Sequence, residues 1–506
     1  MIDRLKTFWT KSPRAPFFFL LLLILLQLAI HWPMIHQSPR GMHVWRQTVG
    51  HAAIQNYMEE DNRFWFPRAD IRLYPGDTGA VYHELPITYW LAAQTAKAGW
   101  LTPHTAANLF QLLFNLILIP GSYYFLLALH AGRLRAGLFA FLMSFSPLYL
   151  AYSPLLEPNM LGLSFFMVGL AFFLPAVEKG RYGFRYGLGT LFLLLATLAK
   201  PTYLFFGLPV LVWIMRPLLR QKSAKAWAAV IGSGLALALA NGLVIRHAKL
   251  LYEASPWQRQ FHTPIGSPGI PSDWALIWEN VSKAVTTWFL EMNLNLGAIP
   301  LLFVALFYIF NHNSDDNRTR NFWLAWCVSL IMFCTLFVVR LADHDYYLTA
   351  SLPLAAWLSS LGAKRWIMSG RYKVALAFVL LFAVPYLGIT RAYGRFFGKP
   401  QIPETILEHS GELTTLIPKN DLILVDGDKT PIVFLYYLKR KGLSLSQAEG
   451  LIKAEELKPF RWLVRWDDSK NLSPHANLLI LEKPIKVRDF TVYEITGVKE
   501  FSQSQR

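Results

Sequence analysis

Apolar residues fall in long unbroken blocks along most of this chain, and polar residues gather between the blocks. A helix needs about 20 apolar residues to cross the hydrocarbon of a bilayer. Blocks of that kind stand at 16–34, 106–129, 136–152, 159–177, 185–199, 202–217, 226–246, 297–311, 321–340, 346–363 and 373–390, which predicts eleven spans. The segment 85–100, LPITYWLAAQTAKAGW, is shorter and carries Gln94 and Lys97.

Charge decides the placement of that segment. If it does not span, one side of the bilayer holds the N-terminus, Arg133/Arg135, Lys179/Arg181/Arg185, Arg216/Arg220/Lys222/Lys225, Arg318/Arg320 and Lys364/Arg365/Arg371/Lys373. Short loops rich in Lys and Arg mark the cytoplasmic side. The segment 85–100 is therefore expected to be an interfacial or re-entrant helix. The same parity puts 41–90, Glu157, Lys200, the 247–296 loop and Asp343–Tyr347 on the outer side. In that loop, 274–292 reads as an amphipathic run lying on the bilayer. The first apolar block follows Arg4, Lys6, Lys11 and Arg14 and reads as an uncleaved anchor.

Beyond about residue 391 the pattern changes. Short apolar runs such as LILVDGD, FRWLVRW, NLLILEK and FTVYEIT alternate with a helical stretch, PIVFLYYLKRKG. That alternation predicts a small α/β domain. The expected fold class is a polytopic α-helical membrane protein of about eleven transmembrane helices with a small soluble α/β domain on the outer face. The expected division is a transmembrane module at 1–390, whose outer loop 35–104 carries the site, and the α/β domain at 391–506. The turn Asp426-Gly427-Asp428 reads as a strand-ending turn, and no Gly-rich phosphate fingerprint accompanies it.

Composition sharpens this. The chain is 54% hydrophobic and 16% charged, with mean hydropathy +0.31, which excludes an ordinary soluble protein of 506 residues. The net charge of +17 lies mostly in short loops, where it suits anionic lipid head groups and not nucleic acid. Cys327 and Cys334 lie seven apart in one apolar block and read as small core residues, not a disulfide.

The outer segments carry the candidate chemistry. Moving a sugar from a phospholipid needs a carboxylate to take the acceptor's proton, cations for the leaving phosphate, and a greasy groove for the lipid. Glu84, in HELP at the start of the interfacial helix, is the first candidate base, with an ion pair to Arg46 or Arg68 as the structural alternative. Glu157, in SPLLEPNM, is the second; a helix cap ahead of Pro158 and Asn159 is its structural alternative. Arg46 and His43 in HVWRQ, with Gln47, are phosphate candidates, and Lys200 in LAKPTY is another, with snorkelling to the head groups as its alternative. In DHDYY, His344 and Tyr346 could meet substrate, and Asp343 and Asp345 leave room for a divalent cation.

These phrases resemble a family. HELPITYWLAAQTAKAG looks like the Pro-Pro-Leu-Tyr-Tyr-Trp phrase of the GT-C class of membrane glycosyltransferases, LAKPTYLFFGLPVLVW is similar to their Thr-Lys-Gly phrase, and DHDYYLTASLPLAAWL resembles their later Tyr-Tyr span. The nearest branch looks like the protein O-mannosyltransferases and lipid A aminoarabinose transferases. The resemblance covers roughly 10–390. It implies an inverting transfer from a polyprenyl-phosphate sugar to a glycolipid, polysaccharide or protein, on the periplasmic face of a bacterial inner membrane, with no cofactor required. Those families carry an Asp-Glu pair early in the first outer loop, where this chain reads Trp45-Arg46-Gln47-Thr48. The HxWRQ phrase instead resembles an uncharacterised bacterial branch, and the base role would move to Glu84 or Glu157. Glu157 matches the family's second acidic position. The alternatives are a flippase of lipid-linked sugars, a polymerase or ligase using diphosphate-linked donors, with which Arg63, Arg68 and Arg72 are compatible, and an inactive scaffold.

Overall fold

A computed structural model describes residues 12–81, 84–254, 274–283, 285–286, 292–311, 317–338, 341, 344–398, 400–430, 432–448 and 454–499. The chain divides into two compact units. The first comprises Met1–Ile35, Asn108–Val244 and Pro268–Arg395. The second comprises His36–Ala107, Ile245–Ser267 and Phe396–Arg506.

The apolar blocks become helices. Among the described residues, seven are long and apolar enough to cross a membrane: Ala15–Ile35, Pro103–Ala128, Pro158–Glu178, Pro201–Gln221, Ala224–Leu251, Asn317–Leu336 and Arg371–Phe396. The other four predicted blocks also meet helices, but shorter or broken ones. The 136–152 block splits into Arg133–Ser144 and Pro147–Tyr152. Proline has no amide hydrogen to donate, so Pro147 opens a new helix instead of continuing the old one. The 346–363 block begins as a 3-10 turn, Asp345–Ser351, before the α-helix Leu352–Ile367. The 85–100 segment holds only the short helix Ile87–Lys97, and the described part of the amphipathic run is Trp274–Lys283, a helix with no buried residue.

Polar groups inside the first unit answer the broken helices. Ser144 ends its helix with a carbonyl that has no intrahelical partner. Gln27 Nε2 donates to it across 2.9 Å, and His31 pairs through Nε2 with the Leu150 carbonyl at 2.9 Å. Both side chains are fully buried. Gly362 lets the Leu352–Ile367 and Ile299–Asn311 helices touch backbone to backbone, because a Cβ there would overlap the Leu301 carbonyl.

The second unit is built on a mixed sheet of five strands: β1 (Ile423–Asp426), β2 (Gly442–Ser444), β3 (Trp462–Trp466), β4 (Leu479–Val487) and β5 (Phe490–Val498), in the order β2-β1-β3-β5-β4. The first three are parallel, with Leu424 between Leu443 and Leu463. The β4–β5 hairpin joins antiparallel. Every residue of β1 is buried, as a central parallel strand requires.

The sheet does not end at β2. Ile71, from the segment between the first two long helices, bridges to Gly442 in parallel. The Arg72 amide donates to the Gly442 carbonyl at 2.8 Å, and the Gly442 amide donates to the Asp70 carbonyl at 3.0 Å. Apolar side chains follow the backbone. Val44, Val49, Ala52, Ala69, Ile71 and Val81 lie in the same core as Ile423, Leu424, Val425, Phe434 and Val492. The outer loop and the C-terminal α/β domain therefore share one hydrophobic interior.

Candidate active site

Within the first unit, the candidate residues gather at helix ends. Pro158 starts the Pro158–Glu178 helix, and Glu157 is its cap, with extended backbone. One carboxylate oxygen accepts the Met160 amide at 3.0 Å, and the other accepts Asn159 Nδ2 at 2.5 Å. Gln111 Nε2 donates to the Glu157 carbonyl at 3.2 Å, which fixes the residue from the neighbouring helix. Glu157 is buried, and burial pushes its carboxyl above the ordinary carboxylate value. The charge of Lys200 and the bonds from Asn159 and Met160 pull it back down. Cap and reactive carboxylate are compatible roles, because each oxygen keeps a second lone pair.

Lys200 ends the Phe184–Ala199 helix and begins the next. Its ammonium lies 5.2 Å from the centre of the Tyr347 ring. Tyr347 stacks in turn on Phe337, with ring centres 6.0 Å apart. Lys200 thus faces an aromatic ring, and its charge acts on the Glu157 carboxylate.

The DHDYY phrase contributes from the same unit. Asp343 lies outside the described residues. Asp345 is fully buried; Tyr152 Oη donates to its Oδ1 at 2.5 Å, and the Arg395 guanidinium meets its Oδ2 at 2.5 Å. Tyr346 packs edge-on against Tyr152 at 6.0 Å, and His344 stacks on Tyr346 at 5.2 Å. Among the described residues, no three His, Cys, Asp or Glu side chains converge as metal ligands do. Asp345 has instead a guanidinium and a phenol on its two oxygens. Arg395 and Tyr152 are members of this group that sequence reasoning missed. Each lies in an ordinary helical stretch, RAYGRF and PLYLAY, with no local pattern to single it out.

In the second unit, His43, Arg46 and Gln47 stand at the start of the helix Val44–Glu59. His43 sits in the left-handed region at φ 55°, so the chain turns sharply into the helix. Arg46 Nη2 donates to Glu84 Oε2 at 2.6 Å, the ion pair that was the structural alternative for this glutamate. Further along, Asn56 Nδ2 reaches Asp70 Oδ1 at 2.9 Å. Burial pushes the Asp70 carboxyl up to about 6, against the pull of Asn56 and Arg72.

That shift carries a pH dependence. An unfolded Asp titrates near 3.9, so between about pH 4 and pH 6 the native chain holds a proton that the unfolded chain has lost. Stability therefore falls as pH rises through that window. Asp70→Asn should flatten this limb, with a gain of roughly 3 kcal/mol at neutral pH relative to its own acid-side difference from wild type. Thermal unfolding in detergent, scanned across pH, measures it.

No family model and no curated protein sequence matches the chain. Solved structures do. ArnT from Cupriavidus metallidurans in the apo state is similar at 12% identity with a TM-score of 0.59, covering 94% of this chain and 97% of that one. The same enzyme bound to undecaprenyl phosphate is similar at 13% identity, with the same TM-score and coverage. The archaeal oligosaccharyltransferase AglB from Archaeoglobus fulgidus, in complex with an inhibitory peptide and a dolichol-phosphate, is similar at 11% identity with a TM-score of 0.55. That likeness covers 94% of this chain and 74% of AglB. ArnT and AglB are GT-C enzymes, and the chain has their fold: a polytopic helical membrane module with a small C-terminal sheet domain.

Proposed function

We propose that this protein is a GT-C membrane glycosyltransferase that moves a sugar from a polyprenyl-phosphate donor to a glycolipid, polysaccharide or protein acceptor at the outer face of a bacterial inner membrane. The observation that carries the reading is a buried carboxylate, Glu157, capping one helix of a GT-C fold, with the charge of Lys200 at the end of another helix acting on it. Neighbours of the same fold bind undecaprenyl phosphate or dolichol-phosphate, which fits a lipid-linked donor.

The chemistry follows from the charges. An acceptor hydroxyl attacks the anomeric carbon from the face opposite the phosphate, so the configuration inverts. The bond from the anomeric carbon to the phosphate oxygen breaks, and the polyprenyl phosphate leaves with one more negative charge than the donor bore. Glu157 takes the hydroxyl proton as general base. Lys200 stabilises the charge that develops on the leaving phosphate. Within the second unit, Arg46, held by Glu84, with His43 and Gln47 at the same helix start, offers a guanidinium and polar groups suited to a phosphate. His344 and Tyr346 offer a flat aromatic surface to the sugar or its acceptor. No cofactor is required for this displacement.

The test is release of polyprenyl phosphate by purified protein in lipid, from a panel of polyprenyl-phosphate sugars, with extracted cell envelope as acceptor. Lys200→Met should lower kcat by about 10–100-fold with a smaller change in KM, because its charge acts chiefly on the leaving group. Lys200→Arg should restore part of the loss. Absence of release from every donor, with lipid-sugar moving across the bilayer, would replace the transferase by a flippase.

A further inference from the structure

The second unit contains a cleft of about 620 Å³ on which the chemistry above makes no demand. One wall is the segment Glu60–Thr78 of the outer loop, and the other comes from the α/β domain at Asn420–Leu422, Lys441 and Lys458–Arg461. Its size is that of a pocket for a small organic ligand.

Charge gives the cleft its character. Five cationic residues line it, Arg68, Arg72, Lys441, Lys458 and Arg461, against three acids, Glu60, Asp77 and Asp421. The acids are turned to the protein. Glu60 meets three cations at once: Arg68 at 3.2 Å, Arg72 at 3.0 Å, and Lys441. Asp77 accepts the amides of Leu73 and Gly79, both at 2.9 Å. Asp421 accepts the Trp462 indole at 2.9 Å.

The cations are not used up in the same way. Arg72 is buried, and its other nitrogen is taken by the carbonyls of Ala69 and Ile71. Lys458 and Arg461 are exposed, and neither side chain forms an ion pair among the described residues. Their backbones are nonetheless fixed. The Arg461 amide donates to the Leu422 carbonyl at 3.0 Å, and its own carbonyl accepts the Ile495 amide at 2.8 Å. On the opposite wall Tyr74 presents a ring that is 48% exposed. A guanidinium fork, an ammonium and a free aromatic face around one cleft are the elements that hold a carboxylate or phosphate on a sugar ring.

We propose that this cleft binds an acidic saccharide, one bearing uronate or phosphate groups, as the recognition element of the acceptor. This rests on the transferase reading for the word acceptor, but the binding itself does not. Arg461 and Lys458 take the anionic groups and Tyr74 stacks on the ring, while Arg68, held by Glu60 and by Asp61 at 2.8 Å, and Lys441 form the floor beneath them.

Direct binding to the full-length protein in detergent tests this. The probes are tetragalacturonate, maltotetraose as its neutral counterpart, and inorganic phosphate as competitor. Tetragalacturonate should bind at least about tenfold more tightly than maltotetraose, and should weaken steeply with added salt. The double substitution Lys458→Gln/Arg461→Gln should lose about tenfold or more in tetragalacturonate affinity while the thermal unfolding temperature in detergent stays unchanged. Tyr74→Ala should weaken the saccharide and leave phosphate competition as it was. Equal binding of both tetrasaccharides, no binding of either, or an unaltered double variant would overturn the proposal. Competition by phosphate points to a phosphate-bearing saccharide, and its absence to a uronate. Saccharide binding without donor turnover would keep the cleft and remove the transferase; turnover without binding would do the reverse.

Discussion

Glu157→Gln should slow polyprenyl phosphate release by about 10²-fold or more, the usual contribution of a positioned general base. The substitution is close to isosteric. The retained side-chain oxygen can accept the Met160 amide, which now bonds the carboxylate at 3.0 Å, so the helix cap and the fold should survive. What is lost is the ability to take a proton. Burial favours the neutral side chain, while the bond from Asn159 Nδ2 is lost, so the variant should unfold within about 1 kcal/mol of wild type. A fall in rate with stability maintained separates the chemical role from the capping role. Glu84→Gln provides the contrast. Glu84 is tied to Arg46 at 2.6 Å, and its loss should act through Arg46, raising the KM for donor more than it lowers kcat. If both variants turn over as wild type does, neither glutamate is the base.

Arg395→Met should give the largest loss of stability. Asp345 is fully buried, and Arg395 is its cationic partner at 2.5 Å. Removing one member of a buried ion pair leaves the other as an uncompensated charge, at a cost of about 3–5 kcal/mol. The Tyr152 hydroxyl on Oδ1 softens this but supplies no charge. The double variant Arg395→Met/Asp345→Leu should recover much of the loss, because an apolar pair of similar volume avoids the desolvation of both ions. Thermal unfolding of the two variants in detergent gives the comparison. A single variant as stable as wild type would mean that the pair contributes nothing, and a double variant worse than the single would assign the loss to packing.

Much of the helical module was legible because its determinants are local. Each apolar block from 16–34 to 373–390 meets a helix, since a run of apolar side chains in lipid has few other ways to satisfy its backbone. Pro147 and Pro158 mark breaks that the amide chemistry of proline forces. The cap at Glu157 could be read from the Pro and Asn that follow it, and the Arg46–Glu84 pair from the opposite charges of HVWRQ and HELP. The rest depends on residues far apart in sequence. Nothing near Ile71 says that it will lie beside Gly442, some 370 positions later, and nothing in RAYGRF says that Arg395 will reach Asp345. Periodicity reports which face of an element is buried, not which element covers it.

The shared interior of residues 36–107 and 396–506 has a consequence for how the protein is made. A ribosome delivers the first of these stretches long before the second. Residues 108–395 come between them, which at roughly 5–20 residues per second is a delay of some 15–60 s. During that interval Val44, Val49, Ile71 and Val81 lack the strands and helix that enclose them in the finished protein. The half-formed unit must wait with apolar side chains uncovered, on the far side of the membrane from the ribosome in the proposed topology. Translation of residues 396–506 thus closes this interior, and a nascent chain stalled before residue 396 should be cut by added protease faster than one that includes them.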